Sequence, residues 1–227
     1  MSDDRRLQEL TRDWFLESCR QKYSYRFTWM GRPIIQYPQD IVAMQELIWR
    51  VQPDVIVETG IAHGGSLIFY ASMLELLGGD RRVVGIDIDI RAHNRTAIEA
   101  HPMFKRIDLI EGSSIAPEIV ARVEEKVAGR QRVMVVLDSN HTHDHVLAEL
   151  RAYAPLVTLE SYVVVFDTVV EDMPDEFFGD RPWRQGNSPK SAVHAYLKET
   201  DRFEIDREIE GRIVITVSPD GFLKRVR

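Results

Sequence analysis

The apolar positions of the chain follow two periods. Leu7, Leu10, Trp14, Phe15 and Cys19 recur at helical spacing and predict a helix over Asp3–Lys22 with one apolar face. Residues 23–38 lose that period and gather the rings of Tyr23, Tyr25, Phe27, Trp29 and Tyr37 around Gly31-Arg32-Pro33. They predict an ordered loop whose rings either pack on the domain or, through Trp29, Arg32 and Tyr37, help roof a pocket. Pro38 then opens a helix over Gln39–Val51, with Ile41, Met44, Leu47 and Ile48 inward. From Val55 onward short apolar runs recur: Val55–Val57, Arg82–Ile86, Ile107–Ile110, Arg132–Leu137 and Ser161–Phe166. Runs of that length predict buried strands. Between and after them lie helical patterns from Ser66 to Leu77, over Ala116–Val127 and Val146–Tyr153, and over Lys190–Lys198, the last capped by Asn187-Ser188-Pro189. Phe203–Asp206 and Arg212–Val217 predict a closing antiparallel pair, and Pro219-Asp220-Gly221 a turn. The alternation predicts an α/β fold around a mostly parallel, helix-covered sheet.

The chemistry gathers where strands end. The run at Val55 finishes in Glu58-Thr59 and passes through Gly60-Ile61-Ala62-His63-Gly64-Gly65 into a helix that begins at Ser66. Strand, glycine loop and helix N-terminus form a nucleotide cradle in α/β sheets. The loop is neither G-x-G-x-x-G nor G-x-x-x-x-G-K-[ST], which argues against a dinucleotide and a P-loop triphosphate. An acid just before the loop argues against a polyphosphate and suits a positively charged ligand such as S-adenosylmethionine. Glu58, Gly60, His63, Gly64 and Ser66 are thus candidate contacts for that donor. Asp87, closing the second strand, is the candidate for its ribose hydroxyls, with Asp89 left to cap the following helix. Ser113 and Ser114 either meet the adenine edge or only form a turn.

Asp138 and Asp167 close two further strands that the pattern makes neighbours. Adjacent strands lie ~4.8 Å apart, so both carboxylates can reach one hard cation, and Mg²⁺ suits two carboxylates with water and substrate completing its shell. His141, three residues past Asp138, is the best-placed general base. His143 and His145 read as surface or capping residues.

Composition narrows the field. The net charge of −7, with no basic block, makes nucleic acid a poor partner. A single cysteine, Cys19, allows no internal disulfide and fits a reducing, cytoplasmic setting. The polar stretch Met1–Arg6 does not read as a signal peptide, and the apolar runs are too short to span a membrane.

The segments Val57–Ser66, Gly85-Ile86-Asp87-Ile88-Asp89, Glu111-Gly112-Ser113-Ser114 and Asp138-Ser139-Asn140-His141 resemble the motifs of the cephalosporin hydroxylase family, from about Tyr23 to Lys224. Despite its name, that family consists of S-adenosylmethionine-dependent methyltransferases and includes rhamnosyl O-methyltransferases. The same positions are similar to metal-dependent catechol-type O-methyltransferases. The resemblance implies a metal on Asp138, Asp167 and Thr168, and His141 as base. The chain departs from the pattern in having Thr168 where an amide is usual, Phe166 where some relatives carry an acid, and His rather than Lys as base.

The expectation is a Rossmann-like class I methyltransferase with a seven-stranded sheet. Residues 1–52 form an N-terminal helical extension with a substrate-side loop, and residues 53–227 form the methyltransferase domain. Its reaction is metal-assisted methyl transfer to a hydroxyl of a deoxysugar, glycan or related natural-product unit. The acceptor is a small molecule or glycan, and the apolar face of Leu7, Leu10, Trp14 and Phe15 suggests a homo-oligomer. The alternatives are a non-haem iron hydroxylase on His141, His143 and Asp138, and a non-catalytic S-adenosylmethionine-binding protein.

Overall fold

A computed structural model describes residues 4–227, so the expected helix start at Asp3 and the charged Met1–Asp3 lie outside the described residues. Helix α1 (Arg5–Arg20) is capped by Asp4, whose carboxylate accepts from the Leu7 amide. A single 3₁₀ turn and a two-residue hairpin, β1 (Thr28–Trp29) with β2 (Arg32–Pro33), precede α2 (Pro38–Val51). The parallel core then alternates β3 (Val55–Thr59), α3 (Gly65–Leu77), β4 (Arg82–Asp87), α4 (Ala92–Glu99), β5 (Ile107–Glu111), α5 (Pro117–Val127), β6 (Val133–Leu137), α6 (His143–Tyr153) and β7 (Tyr162–Val165). The chain closes with α7 (Pro189–Glu199), β8 (Phe203–Ile205), α8 (Arg207–Ile213) and β9 (Phe222–Arg225).

The seven-stranded sheet runs β5-β4-β3-β6-β7-β9-β8, with β3 to β7 parallel and β9 antiparallel to both its neighbours. Alternate residues of each strand face opposite sides. Ile56, Met134, Val136 and Val164 join the core under α2 and α3, while Val55, Val57, Val135 and Val163 join the core under α5, α6 and α7. Both faces are covered, which is why these strands read as continuous apolar runs.

The strand order reverses between β3 and β6, the switch point where such sheets leave a crevice. There Thr59 pairs with Leu137, and the next residue, Gly60, turns away at φ +90°. A Cβ at Gly60 would collide with the Asp138 carbonyl, so only glycine fits this crossing. Leu137 pairs with Val165 on the other side, which brings Asp138 and Asp167 to neighbouring strand ends as the sequence implied.

One expectation changes, and one open choice is decided. Arg212–Val217 is not a strand: Asp206 caps α8 by accepting from the Glu208 and Ile209 amides, and the chain leaves that helix through Val214 at φ +63°. The segment beyond is held by Asp40 of α2, whose carboxylate accepts from the Thr216 hydroxyl and, at 3.0 Å, from the Val217 amide. The antiparallel partner of β8 is Phe222–Arg225, delivered by the expected turn at Pro219–Gly221. Secondly, Trp29, Arg32 and Tyr37 pack on the domain and roof nothing. The Trp29 indole donates to Ser72 (3.0 Å) with its ring edge-on to Phe69. Arg32 donates to the His63 carbonyl (2.9 and 2.6 Å) and to Asn94 (3.1 Å), and Tyr37 stacks on Phe15 with its hydroxyl 2.6 Å from that of Ser18.

Candidate active site

A cleft of about 310 Å³ opens at the switch point. Its walls come from three places: the glycine loop and the start of α3 (Gly60 to His63, Gly65, Ser66), the ends of β4 and β5 (Ile86 to Ile88, Ser113, Ser114), and the end of β6 (Asp138 to Asn140). The strap Pro33–Gln36 closes one side, and His145 another. Of the aromatic segment it is this strap, and not Trp29, Arg32 or Tyr37, that meets the cleft.

Most of the expected donor contacts meet here. Gly60, His63, Ser66, Asp87, Ser113, Ser114 and Asp138 all line the cleft. Glu58 lies one layer behind them and is fully buried. One of its oxygens accepts from the Ser66 hydroxyl at 2.9 Å, and the other, Oε1, has no hydrogen-bond partner. Burial pushes its carboxyl up to about 8, with the Ser66 bond pulling down and the charge of Asp87 adding to the rise. Gly64 does not line the cleft: it turns at φ +80° and its α-carbon packs against Ile98. A Cβ on Gly65 would strike the Pro33 carbonyl. The glycines thus make room for other stretches of this chain, and Gly60 and Gly65 face the cleft as well.

Asp87 holds the loop it faces. Its Oδ2 accepts from the amides of Ile61 (2.8 Å) and Ala62 (3.3 Å), and its Oδ1 from the amide of Asp89 (3.1 Å). Asp89 caps no helix, because α4 starts three residues later, at Ala92, with Arg91 at the cap position. Next to Asp87, Ile88 presents an apolar side chain to the cleft although it is 74% exposed, an apolar surface against which a flat ring can lie.

The far wall carries a network that the sequence did not reveal. Glu149 of α6 is fully buried, and its Oε1 accepts from the hydroxyls of Ser114 (2.6 Å) and Ser139 (2.7 Å). His145 Nε2 stands 3.1 Å from Ser114 Oγ and 3.4 Å from the same carboxylate. His145 is thus a wall residue of the cleft, not a surface cap. The signal was available: His145 and Glu149 are four apart in the helix that follows β6, so they share a face. His143, by contrast, is structural: its Nδ1 meets Ser191 Oγ at 2.8 Å and its amide donates to Asn187.

Where β6 and β7 end, Asp138, His141 and Asp167 converge so that one ligand atom from each lies within 4.8 Å of the others. His141 Nε2 is 3.2 Å from Asp167 Oδ2, and its ring stands edge-on to Trp183 with centroids 4.9 Å apart. Asp167 sits at φ +55°, a left-handed conformation that aspartate tolerates and that bends the chain back toward Asp138. The Asp138 carboxyl is raised well above its ordinary range by burial, then by the charges of Asp167, Glu58, Glu149 and Asp40. A cation beside a carboxyl so raised favours its ionised form. Together with the unpartnered Glu58 Oε1, these acids fit a divalent metal at Asp138 and Asp167 and a cationic ligand in the cleft. Thr168, which the resemblance adds to the metal, is buried, and its hydroxyl donates to the Pro219 carbonyl at 2.6 Å.

The sheet order and the strand–glycine-loop–helix cradle define a Rossmann-like methyltransferase fold. A family model described as Rhamnosyl O-methyltransferase/CmcI matches residues 21–226, and the chain belongs to this family of S-adenosylmethionine-dependent O-methyltransferases. It is 30% identical over 202 residues to the rhamnosyl O-methyltransferase of Mycobacterium leprae (strain TN), a match covering 87% of this chain and 82% of that protein. Among solved structures, CmcI-D160 with Mg-SAM aligns at a TM-score of 0.61 and 19% identity, covering 89% of this chain and 78% of the other. MycE with Mg, SAH and mycinamycin VI aligns at 0.51 and 19%, covering 80% of this chain and 44% of that one. At such identity these two likenesses speak for the fold.

Proposed function

We propose that the protein transfers the methyl group of S-adenosylmethionine to a hydroxyl of a deoxysugar, on a glycan or a natural product, with the help of Mg²⁺. The observation that carries this reading is the meeting of Asp138, His141 and Asp167 beside the cleft, in a chain whose curated relative is a rhamnosyl O-methyltransferase. Glu58, Gly60, His63, Ser66, Asp87, Ser113, Ser114 and Asp138 are assigned to the donor, with Glu58 acting from behind Ser66. Asp138 and Asp167 are assigned to the metal. Bound there, Mg²⁺ supplies positive charge that favours the ionised form of the acceptor hydroxyl. His141 takes the proton at Nε2 as the acceptor oxygen forms its bond to the methyl carbon and the sulfur–methyl bond breaks. Much of the rate comes from holding the two reactants in line.

The acceptor is assigned to the side of Trp183. Arg181 covers that ring at 5.4 Å, and Glu171 holds the loop by accepting from the Gly186 amide and the Ser188 hydroxyl. In this reading residues 1–52 form the helical extension and substrate-side strap, and residues 53–227 the catalytic domain. The side of α1 that stays exposed, with Leu10 at 48% and Trp14 at 41%, is assigned to a homo-oligomer contact. Among the described residues no helix is long and apolar enough to cross a membrane. The single free cysteine supports placing the enzyme in the cytoplasm, in the biosynthesis of polysaccharides or natural products.

The iron hydroxylase alternative needs two histidines and one carboxylate. The group offers two carboxylates and one histidine, and His143 is engaged with Ser191. The test is transfer of labelled methyl to a panel of deoxysugar-bearing acceptors, with oxygen uptake followed in parallel. Labelled O-methyl sugar is the expected product. Oxygen uptake without transfer would favour the hydroxylase, and donor binding without turnover on any acceptor would favour a binding protein.

A further inference from the structure

Asp167 is set in place by a distant stretch of the chain. Its left-handed turn, at φ +55°, lies between β7 and the 3₁₀ turn Thr168–Asp172. Residues on both sides of it are bonded to segment 217–221. Before the turn, the Val165 amide donates to the Gly221 carbonyl at 2.9 Å. After it, the Thr168 hydroxyl donates to the Pro219 carbonyl at 2.6 Å, and the Val169 amide to the Val217 carbonyl at 3.1 Å. The packing is close, since a Cβ on Gly221 would strike the Val165 carbonyl. Segment 217–221 is thus an abutment against which the turn at Asp167 rests.

Residues 214–221 belong to no helix or strand, so side chains must fix them. Asp40, in the first turn of α2, is fully buried, and its carboxylate accepts from the Thr216 hydroxyl and the Val217 amide. The Thr216 oxygen in turn accepts from the Ser218 amide at 2.9 Å. At the far end, Glu210 of α8 accepts from the Asp220 amide at 2.6 Å. Val217 links the two systems: its amide goes to Asp40 and its carbonyl takes the amide of Val169, two residues past Asp167. Asp40 is not one of the three groups that converge for a cation. Neither Asp40 nor the abutment lines the donor cleft.

A left-handed aspartate persists only where its surroundings determine it. Mg²⁺ demands near-ideal octahedral geometry, so a ligand that is loosely held binds it poorly. Resting on the metal assignment above, we propose that Asp40 is a positioning residue for the metal: by pinning Thr216 and Val217 it sets the abutment that holds Asp167 in its left-handed turn. Asp40 then tunes the affinity for the divalent ion without touching it, and leaves the donor site alone.

Mn²⁺ takes the same oxygen ligands as Mg²⁺, and electron paramagnetic resonance counts its free form, so its binding to the full chain is read without turnover. Asp40→Ala should weaken Mn²⁺ roughly tenfold or more, while calorimetry finds S-adenosylhomocysteine within about twofold of wild type. Asp40→Asn keeps an oxygen for the Val217 amide and should hold Mn²⁺ within about threefold. Thr216→Val removes one of the two bonds without emptying a buried site. Its Mn²⁺ affinity should fall between those of the two Asp40 variants, and it decides the matter should Asp40→Ala fail to fold. Ser72→Ala breaks the Trp29 bond on α3 and controls for a general loss of stability. It should leave Mn²⁺ binding unchanged. Mn²⁺ affinity that stays at the wild-type level in the Asp40→Ala and Thr216→Val proteins overturns the role of Asp40. So does a loss matched by S-adenosylhomocysteine or by Ser72→Ala. Wild type that binds no Mn²⁺ overturns the metal assignment, and the role of Asp40 falls with it.

Discussion

His141 Nε2 lies 3.2 Å from Asp167 Oδ2, although the two residues follow different strands of the sheet. The contact exists because β6 and β7 pair in register and the left-handed turn at Asp167 folds its carboxylate back over the strand ends. Asp138 completes the group from the end of β6. Two carboxylates on one side of an imidazole are poorly matched by that ring alone, and a divalent ion is the better counter-charge. A chelator should therefore abolish methyl transfer, and Mg²⁺ should restore it. Asp167→Ala should lose turnover with partial rescue at high Mg²⁺, because one carboxylate and waters still hold the ion weakly. Activity of wild type that survives chelation would make both acids structural.

Asp87, proposed above for the donor, has a structural duty as well. Its carboxylate collects the amides of Ile61, Ala62 and Asp89, and so fixes the loop whose other side faces the donor. Losing a charged acceptor of this kind costs ~1.5–3 kcal/mol. Asp87→Ala should weaken S-adenosylhomocysteine roughly ten- to a hundredfold by calorimetry. An unchanged dissociation constant would move the ribose elsewhere.

The framework of the site was legible because it rests on runs and periods. Val133–Leu137 and Tyr162–Val165 are buried throughout, so their apolar runs announced neighbouring strands, and Asp138 and Asp167 beyond them landed at one edge. Gln36 was not legible, and of Glu149 only its helical spacing from His145 was, since their other contacts are distant along the chain. Glu149 reaches Ser114 on another strand end, and Gln36 meets the start of α3 through a hairpin too short to leave a periodic trace. The bond that engages Thr168 was not legible either: after the left-handed Asp167 the chain enters a 3₁₀ turn that faces its hydroxyl to Pro219. Arg212–Val217 looked like a strand because its apolar residues pack beside Asp40, where a bonded turn and not a ladder satisfies the backbone.

Asp40 makes stability depend on pH. It is fully buried, and burial lifts its carboxyl to about 7, against the bonds from Thr216 and Val217 and with help from the charge of Asp167. Its unfolded value is near 3.9. The folded state therefore binds this proton more tightly than the unfolded chain does. The stabilisation is full below about pH 4 and is lost as pH rises through about 7, a change of about 4 kcal/mol at most. Glu58, lifted to about 8, acts in the same direction. The melting temperature of the metal-free protein should fall between about pH 5 and pH 8. Asp40→Asn keeps an oxygen for the Val217 amide and removes the titration, so its curve should be flatter. A slope identical to wild type would show that Asp40 does not titrate in that window.

The role of His141 separates a base from a metal ligand, because its Nε2 lies where either could act. The ring is fixed from two sides, by Asp167 at Nε2 and by the edge-on Trp183. With Asp167 drawn to a bound Mg²⁺, Nε2 would be released from that carboxylate and could take the proton of the acceptor hydroxyl. His141→Ala should then lose turnover by ~10²–10⁴-fold, the size of a general-base contribution. Its affinity for S-adenosylhomocysteine and for Mg²⁺ should stay at the wild-type level, since neither depends on the ring. Trp183→Ala should leave both affinities in place and lower kcat by less, because the ring keeps its nitrogen and loses only its orientation. A His141→Ala protein that turns over normally would end the base assignment. A His141→Ala protein that no longer holds Mg²⁺ would make the ring a third ligand, and the proton would then have to leave through Asp138 or water.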